Sequence, residues 1–404
     1  MDLYSGLPYW IVKNSLYDYF NPLAKNFKTD VVVIGSGITG SLVAHELCKA
    51  GLKCCIIDKR TLSTGSSSAS TALLQYEIDE PLYKMAKSVG EENALLAYQS
   101  CLQAITDVEN VFKGIGINPG FERVPSVFYA SNKAGEEIIE KEYEIRKKHD
   151  LPVTFLTAKD VKKIYGFEAP CALMNEESAQ IDAYLASICL LDYHMRRKEL
   201  DVYTHTQVQT CEKKKDRYEI VTNRGHRVEC KYVVIAAGFE AGMFLPEKVM
   251  QLTSTYALIS EPVDPSCIWK GKSLIWESKD PYIYIRTDNE NRIIVGGEDE
   301  DFQNPVKRDE LLRMKTAKLE KKFSKLFPDI PFKTEMAWCG TFSSTKDGLP
   351  YIGEWPGKEG MFFALGYGGN GITFSMNAAQ MITKSIQGKK DERYKVFGFE
   401  RDRK

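Results

Sequence analysis

The sequence predicts a mixed architecture, an α/β domain on a parallel sheet interleaved with a smaller α+β domain on an antiparallel sheet. Three observations carry this. Near the N-terminus an apolar run, Val31-Val32-Val33-Ile34, stops at glycines and gives way to a helix-spaced segment, the pattern of a buried parallel strand feeding a helix. Between residues 252 and 298, Leu252 to Ile259, Ser273 to Trp276, Tyr282 to Arg286 and Arg292 to Gly296 follow one another without a helix, as strands of an antiparallel sheet do. From Trp338 to Gly388 the chain returns to glycine-rich loops and one helix. The chain therefore leaves the first domain, builds the second and comes back. Residues 1–118, 172–251 and 336–404 are assigned to the first domain, and 119–171 and 252–335 to the second.

The first strand ends in Gly35-Ser36-Gly37-Ile38-Thr39-Gly40, a G-x-G-x-x-G turn. Gly35 permits the tight turn, Gly37 lets backbone amides approach a pyrophosphate, and Gly40 lets the helix press on the strand. Leu42, Val43 and Leu47 lie at helical spacing between Ile38 and Ala50, so the turn opens a helix whose N-terminus attracts anions. A second run, Cys54-Cys55-Ile56-Ile57, ends at Asp58, placed to accept hydrogen bonds from ribose hydroxyls. An acid there favours free hydroxyls, hence FAD or NAD over NADP. Together these parts predict a Rossmann-type dinucleotide site, with Lys59 and Arg60 just beyond the acid counted in it.

From Gly65 the chain reads Gly-Ser-Ser-Ser-Ala-Ser-Thr-Ala-Leu-Leu. So small and hydroxyl-rich a stretch is either a flexible linker or a loop against the cofactor. Its direct continuation into apolar residues favours the loop, with Ser66 and Ser67 in it. Residues 82–115 read as helix. Gly135 to Asp150 reads as a charged helix (Glu136, Glu137, Glu140, Lys141, Glu142, Arg146, Lys147, Lys148) whose charges form a solvated face. Leu200 to Val208 and Tyr218 to Thr222 read as strands about a polar turn at Lys213 to Asp216, and Tyr232 to Ala236 as a third. Asp309 to Phe327 is an amphipathic helix, and residues 1–28, with Pro8, Tyr9 and Trp10, are expected to pack as an arm on the body.

Composition excludes several classes. The 404 residues carry a net charge of −1, with 43% hydrophobic and 27% charged content, which gives no electrostatic case for nucleic acid or an anionic membrane. No apolar run approaches the ~18–20 residues that span a bilayer, and the first residues lack the basic-then-apolar order of a signal peptide; a cytoplasmic location is expected. The ten cysteines form no C-x-x-C pair, and Cys54 and Cys55 read as small buried hydrophobes. His45-Glu46 begins like a zinc-protease motif, but Lys49 stands where the second histidine belongs, so no metal site is expected.

Four blocks in order carry a resemblance: Val32 to Gly40, Ser66 to Leu74, Val233-Val234-Ile235-Ala236-Ala237-Gly238, and a C-terminal pair. That pair is Trp338-Cys339-Gly340-Thr341-Phe342-Ser343-Ser344-Thr345-Lys346-Asp347-Gly348-Leu349-Pro350, then Gly366-Tyr367-Gly368-Gly369-Asn370-Gly371-Ile372-Thr373. Over roughly residues 28 to 388 the chain resembles the D-amino-acid-oxidase-like FAD-dependent oxidoreductases, relatives of glycine oxidase and sarcosine oxidase. The resemblance implies a Rossmann-type FAD-binding domain with a smaller antiparallel-sheet substrate domain, and FAD held non-covalently. It puts Val208 at the adenine, Ala237 and Gly238 at the pyrophosphate, and Ser70, Thr71 and Leu73 at the flavin ring. Gly340 stands where some relatives bind the flavin through cysteine, next to Cys339. Gly366 to Thr373 opens a helix from Phe374 to Ile386; it either presents amides to the pyrimidine end of a reduced flavin or is a plain glycine-rich cap.

Two departures matter. Amino-acid oxidases of the family usually read W-x-G-L-R-P after the tryptophan, and that arginine grips the substrate carboxylate; here the position is Phe342. Glycine-oxidase-like members carry an arginine just before the Asn-Gly, and here that position is Gly369. Phenylalanine cannot replace a bidentate guanidinium. Strand alternation puts Tyr282, Tyr284 and Arg286 on one face, as a replacement acid-binding wall or as the solvent face of an ordinary strand. The lysine that sarcosine-oxidase-like members use with oxygen is missing from Arg292 to Gly297, so another electron acceptor is open. The expected activity is dehydrogenation of a C–N bond of an amine or amino acid by hydride transfer to flavin N5. The alternatives are a 2-hydroxy-acid dehydrogenase of the same fold and a flavin-binding module without turnover. A small-molecule amine or amino acid is the expected partner, and oligomeric state is not readable.

Overall fold

A computed structural model describes residues 4–18, 20–302 and 304–403. Two large sheets face each other across a cleft, and the glycine turns lie along it. The first sheet has six strands in the order Leu200–Tyr203, Cys54–Ile57, Val31–Ile34, Tyr232–Ile235, Met361–Leu365 and Tyr351–Glu354. The first five run parallel and the last is antiparallel. Its central strands are apolar on both faces because helices Ile38–Lys49, Ala183–Arg196 and Gly371–Ile386 cover one side and a four-stranded sheet packs on the other. That smaller sheet orders Val208–Lys214, Arg217–Thr222, Arg227–Cys230 and Phe27–Lys28.

The second large sheet has nine strands: Tyr4–Gly6, Thr334–Ser344, Gln251–Ser260, Ile293–Glu300, Ile283–Thr287, Leu274–Glu277, Ser126–Tyr129, Cys171–Asn175 and Thr154–Thr157. All neighbours are antiparallel except Leu274–Glu277 with Ser126–Tyr129. Helix Pro305–Leu326 buries Leu319 and Phe323 against it. The expected interleaving is present, but three proposed boundaries, 171/172, 251/252 and 335/336, fall inside strands of this sheet, and the N-terminal strand Tyr4–Gly6 joins it through Thr334–Ser344.

The N-terminal arm packs as expected, with Tyr9, Trp10 and Ile11 buried. Residues 82–115 are two helices, Leu82–Val89 and Glu91–Ile115, broken at Gly90 with φ 88°. The strand expected over Leu200 to Val208 is two strands on different sheets. The chain turns between them at His205 (φ 48°), where Thr206 N–H reaches the Asp58 carbonyl at 2.9 Å.

The charged helix Lys133–Lys148 corrects a larger expectation, because Glu142 and Arg146 are buried and not solvated. They sit four apart on its inner face and pair at 2.7 Å. The Glu142 carboxylate accepts the first amides of the earlier helix Leu82–Val89, Leu82 N–H at 3.1 Å and Tyr83 N–H at 3.2 Å, and Arg146 also pairs with buried Glu77 at 3.2 Å. Buried charge persists when each partner is paired and hydrogen-bonded, and a charge count along the sequence cannot see that geometry.

Candidate active site

One continuous cavity runs between the sheets, with about 2150 Å³ of empty space out to its open mouth, room for a dinucleotide and a small substrate. At one end the chain folds as the motif dictates. Gly35 takes φ 109°, and a Cβ there would overlap the Ala236 carbonyl; a Cβ on Gly40 would overlap the Gly35 carbonyl. Only glycine allows turn, helix and third strand to close on each other. Ile38 N–H donates to Ser67 Oγ at 2.9 Å, so the hydroxyl loop is seated on the helix N-terminus and is no linker. It contains a single helical turn, Ser66–Ala69.

Asp58 lines this end. Its Oδ2 accepts from Ser36 N–H (2.8 Å) and Oγ–H (2.6 Å), and its Oδ1 accepts from Arg60 N–H (2.9 Å). A carboxylate oxygen accepts more than one hydrogen bond, so Asp58 fixes the turn and keeps capacity for ribose hydroxyls. Lys59 and Arg60 line the cavity too, both paired with Glu240, at 2.6 and 3.0 Å. Glu240 has no sequence signal of its own; it follows the Ala237-Gly238 turn on a short 3₁₀ segment. Ser66, Ser67, Val208, Ala237 and Gly238 also line this end.

The other end collects Ser70, Thr71, Leu73, Gly340, Phe342, Gly366, Gly368, Gly369, Asn370, Gly371 and Ile372 around the start of helix Gly371–Ile386. Two residues of the expected set do other work. Gly40 is packing within the turn, and Thr373 is buried outside the lining, its hydroxyl donating to the Asn370 carbonyl at 3.0 Å. Asn370 turns its amide to the carbonyls of Gln75 and Glu77, at 3.1 and 2.7 Å, and so ties the glycine loop to the segment after the hydroxyl loop.

Gly37, Gly340 and the glycines before Asn370 leave a cradle without side chains, beside a helix N-terminus and a ribose-competent acid. These features fit a flavin dinucleotide. Cys339 lies on the opposite face of its strand, buried among Tyr256 and Leu258, which supports non-covalent binding. A scan against family models matches "FAD dependent oxidoreductase" over residues 30–385.

The chain belongs to the FAD-dependent oxidoreductase family.

Among curated relatives, glycine oxidase of Bacillus licheniformis is 24% identical over 387 residues, covering 93% of this chain and 97% of the relative. Among solved structures, glycine oxidase of Geobacillus kaustophilus superposes with a TM-score of 0.75 at 20% identity, over 90% of this chain and 96% of that one. L-proline dehydrogenase of P. horikoshii gives 0.76 at 19%, over 94% and 99%.

The expected carboxylate clamp is corrected. Tyr282 and Tyr284 line the cavity, but Arg286 does not. Its guanidinium is buried and donates to the carbonyls of Thr71 (2.8 Å), Ala72 (2.9 Å), Ile181 (2.9 Å) and Thr287 (3.1 Å), with the Trp10 ring 5.5 Å away. Burial lowers its pKa to about 10 even though Asp288 and Asp182 lie near. Arg286 thus pins the flavin loop from behind. The alternation argument put the side chain on the right face, but the loop carbonyls intercept it before the cavity. Trp10 Nε1–H and Trp338 Nε1–H hold the same loop through Ser70 O (2.7 Å) and Ala69 O (2.9 Å).

Asp79 is the main residue missed. It lines the cavity beside the glycine loop, accepts Gly369 N–H on Oδ2 at 2.7 Å, and has the Tyr282 hydroxyl 3.5 Å from Oδ1. Asp79 is exposed at the cavity, and the protein packed around its carboxylate raises its pKa against the lowering effect of those donors. A signal did exist. Gln75, Glu77 and Asp79 are polar at alternate positions after Leu73-Leu74, and all three line the cavity with Ile78 beside them, on a segment that bends at Tyr76, Glu77 and Asp79. Trp276 was missed as well; it joins Tyr282 and Tyr284 in an aromatic wall, with centroids 6.5 and 5.8 Å apart. Gly296 makes room for this wall, since a Cβ there would overlap the Tyr284 ring.

Among the described residues, no helix is long and apolar enough to cross a membrane.

Proposed function

We propose that this flavoenzyme oxidises a carbon–nitrogen single bond of a small amine or amino acid to the imine. The substrate reacts as the neutral amine, losing a hydride from carbon and a proton from nitrogen to solvent, and FAD when bound would supply the two-electron acceptor at N5. The observation that carries this reading is the composition of the ring end: a glycine loop at a helix N-terminus facing an aromatic wall of Trp276, Tyr282, Tyr284 and Phe342. Curated relatives and structural neighbours named as glycine oxidase and L-proline dehydrogenase support the choice of bond.

The residues do three things in this reading. Ser36, Asp58, Ser66, Ser67, Ala237 and Gly238 hold the nucleotide half. The loop pinned by Arg286, Trp10 and Trp338 sets the ring plane against the glycine loop, where the N-terminus of helix Gly371–Ile386 favours negative charge. The aromatic wall excludes water and orients the substrate carbon. A 2-hydroxy acid fits less well, because no cationic side chain lines the ring end among the described residues and the carboxylate of the acid would face Asp79; within the reading the same charge pattern favours an amine over an amino acid. Strand Ile293–Glu300 contributes no lysine to the cavity, which supports an acceptor other than oxygen.

The test is anaerobic mixing of the FAD-loaded protein with amines, amino acids and hydroxy acids. Bleaching of the flavin by amines or amino acids is expected. Bleaching by hydroxy acids alone overturns the bond assignment, and no bleaching by any donor supports a binding module.

A further inference from the structure

Resting on that reading, we infer that the substrate is a cationic alkylamine without a carboxylate, its ammonium held between Asp79 and the ring faces of Trp276, Tyr282 and Tyr284. The first observation is the distribution of charge along the cavity. Among the described residues its lining cations are Lys59 and Arg60, both at the nucleotide end and both paired with Glu240. At the ring end the charged lining residues are Glu77 and Asp79. Glu77 is paired with Arg146 and Asn175 behind the wall, so Asp79 is the charge presented to a ligand.

Cations behind the wall are committed elsewhere. Arg286 is held by four carbonyls, Arg308 donates to Ser5 Oγ (2.7 Å) and Thr341 Oγ1 (3.3 Å), and Lys315 pairs with Glu298 and Glu300. None of the three lines the cavity.

The second observation is spatial. A Cβ on Gly369 would stand 2.5 Å from Asp79 Oδ1, and one on Gly368 would stand 2.5 Å from Oδ2. The site thus holds a carboxylate where any larger residue at either glycine would displace it, and the same backbone fixes it through Gly369 N–H. A third is the buried Oδ1 of Asp299, which has no hydrogen-bond partner and lies within electrostatic reach of Asp79, Tyr282 and Tyr284. Asp79 in the lining, Asp299 behind it and the rings of Trp276, Tyr282 and Tyr284 along the wall form an environment that attracts an alkylated ammonium and repels a carboxylate.

The experiment titrates the FAD-loaded full-length protein with tetramethylammonium and N-methylbutylamine against acetate and glycine, reading the flavin difference spectrum and thermal shift. The two cations should bind at least tenfold more tightly than either carboxylate-bearing probe. Asp79→Asn, of the same shape, should lose that preference by tenfold or more while keeping its FAD content, and Asp79→Glu should restore part of it. Acetate or glycine binding as well as the cations overturns the inference, as does an Asp79→Asn protein with unchanged cation affinity. The two readings fail differently. Flavin bleached by glycine or sarcosine but not by alkylamines keeps C–N oxidation and sinks the cationic substrate. Tight, Asp79-dependent cation binding with no bleaching by any amine keeps the cation site and sinks C–N oxidation.

Discussion

The two ends of one cavity treat charge in opposite ways. At the nucleotide end Lys59 and Arg60 share Glu240 as a counter-ion, and Asp58 is held by Ser36 and Arg60 amides. At the ring end Asp79 faces open space with a neutral amide and a phenol for company, and Asp299 stands behind it without a partner on Oδ1. The first end is finished before a ligand arrives. The second keeps an exposed negative charge that a ligand can answer. Such residual frustration is expected where binding specificity is set.

The sharpest way to break the finished end is Gly40→Ala. The added methyl would overlap the Gly35 carbonyl, and a helix pressed on a strand has no slack to absorb it. Loss of soluble protein, or a more than tenfold loss of FAD retention, is expected by flavin absorbance after gel filtration; full retention would show that the turn can relax. Next in size is Arg286→Met. It abandons the carbonyls of Thr71, Ala72 and Ile181, a loss on the order of 3 kcal/mol. Denaturant unfolding should register it together with faster FAD release. A variant of unchanged stability that lost only affinity for carboxylate substrates would return Arg286 to the role of substrate clamp.

The same contrast explains what the sequence made legible. The nucleotide end comes from short-range order: strand, Gly35 to Gly40, helix, strand, Asp58, with each spacing imposed by the sheet. The glycine loop before helix Gly371–Ile386 was readable for the same reason. The ring end is assembled from Trp276, Tyr284 and Phe342, which meet through the register of the nine-stranded sheet, and from Asp79 and Gly369, which sit on two loops outside it. Arg286 shows the limit most clearly. Period-two alternation gave its face, yet its partners Thr71, Ala72 and Ile181 are distant in sequence, and no local pattern announces them. Arg146 and Glu142 were misread because burial of an ion pair depends on Glu77 and the Leu82–Val89 helix end, both remote in the chain.

A smaller effect tests the open end by pH. Burial raises the Asp299 pKa from 3.8 to about 6; the Thr255 hydroxyl lowers it, Asp79 and Asp280 raise it, and Lys315 lowers it. Asp79 is raised in the same direction. Between pH 3.8 and about 6 the folded protein keeps a proton that the unfolded chain has released, so the contribution of Asp299 to stability falls as pH rises through that window. A bound permanent cation favours the ionised form and offsets the loss. The rise in Tm produced by tetramethylammonium should therefore be larger at pH 7.5 than at pH 5, by about 1–2 kcal/mol in equivalent stability. Equal shifts at the two pH values would place the cation away from these carboxylates.

The smallest expected effect belongs to the nucleotide end. Burial raises the Glu240 pKa, but the hydrogen bonds from Lys59 and Arg60 outweigh it and hold the carboxyl below its ordinary value. Lys59 and Arg60 retain 30% and 28% of their side-chain exposure, so water and salt screen the pairs and each contributes less than about 1 kcal/mol. Glu240→Gln leaves two lysine-arginine charges beside the pyrophosphate site without their counter-ion. FAD should then bind somewhat more tightly at low ionic strength, by less than tenfold, and the gain should vanish in high salt as the Debye length shrinks. Equilibrium dialysis at two salt concentrations measures it. A tenfold weaker affinity would mean that the Glu240 carboxylate itself holds the nucleotide, and the ends of the cavity would then differ less than their charge pairing indicates.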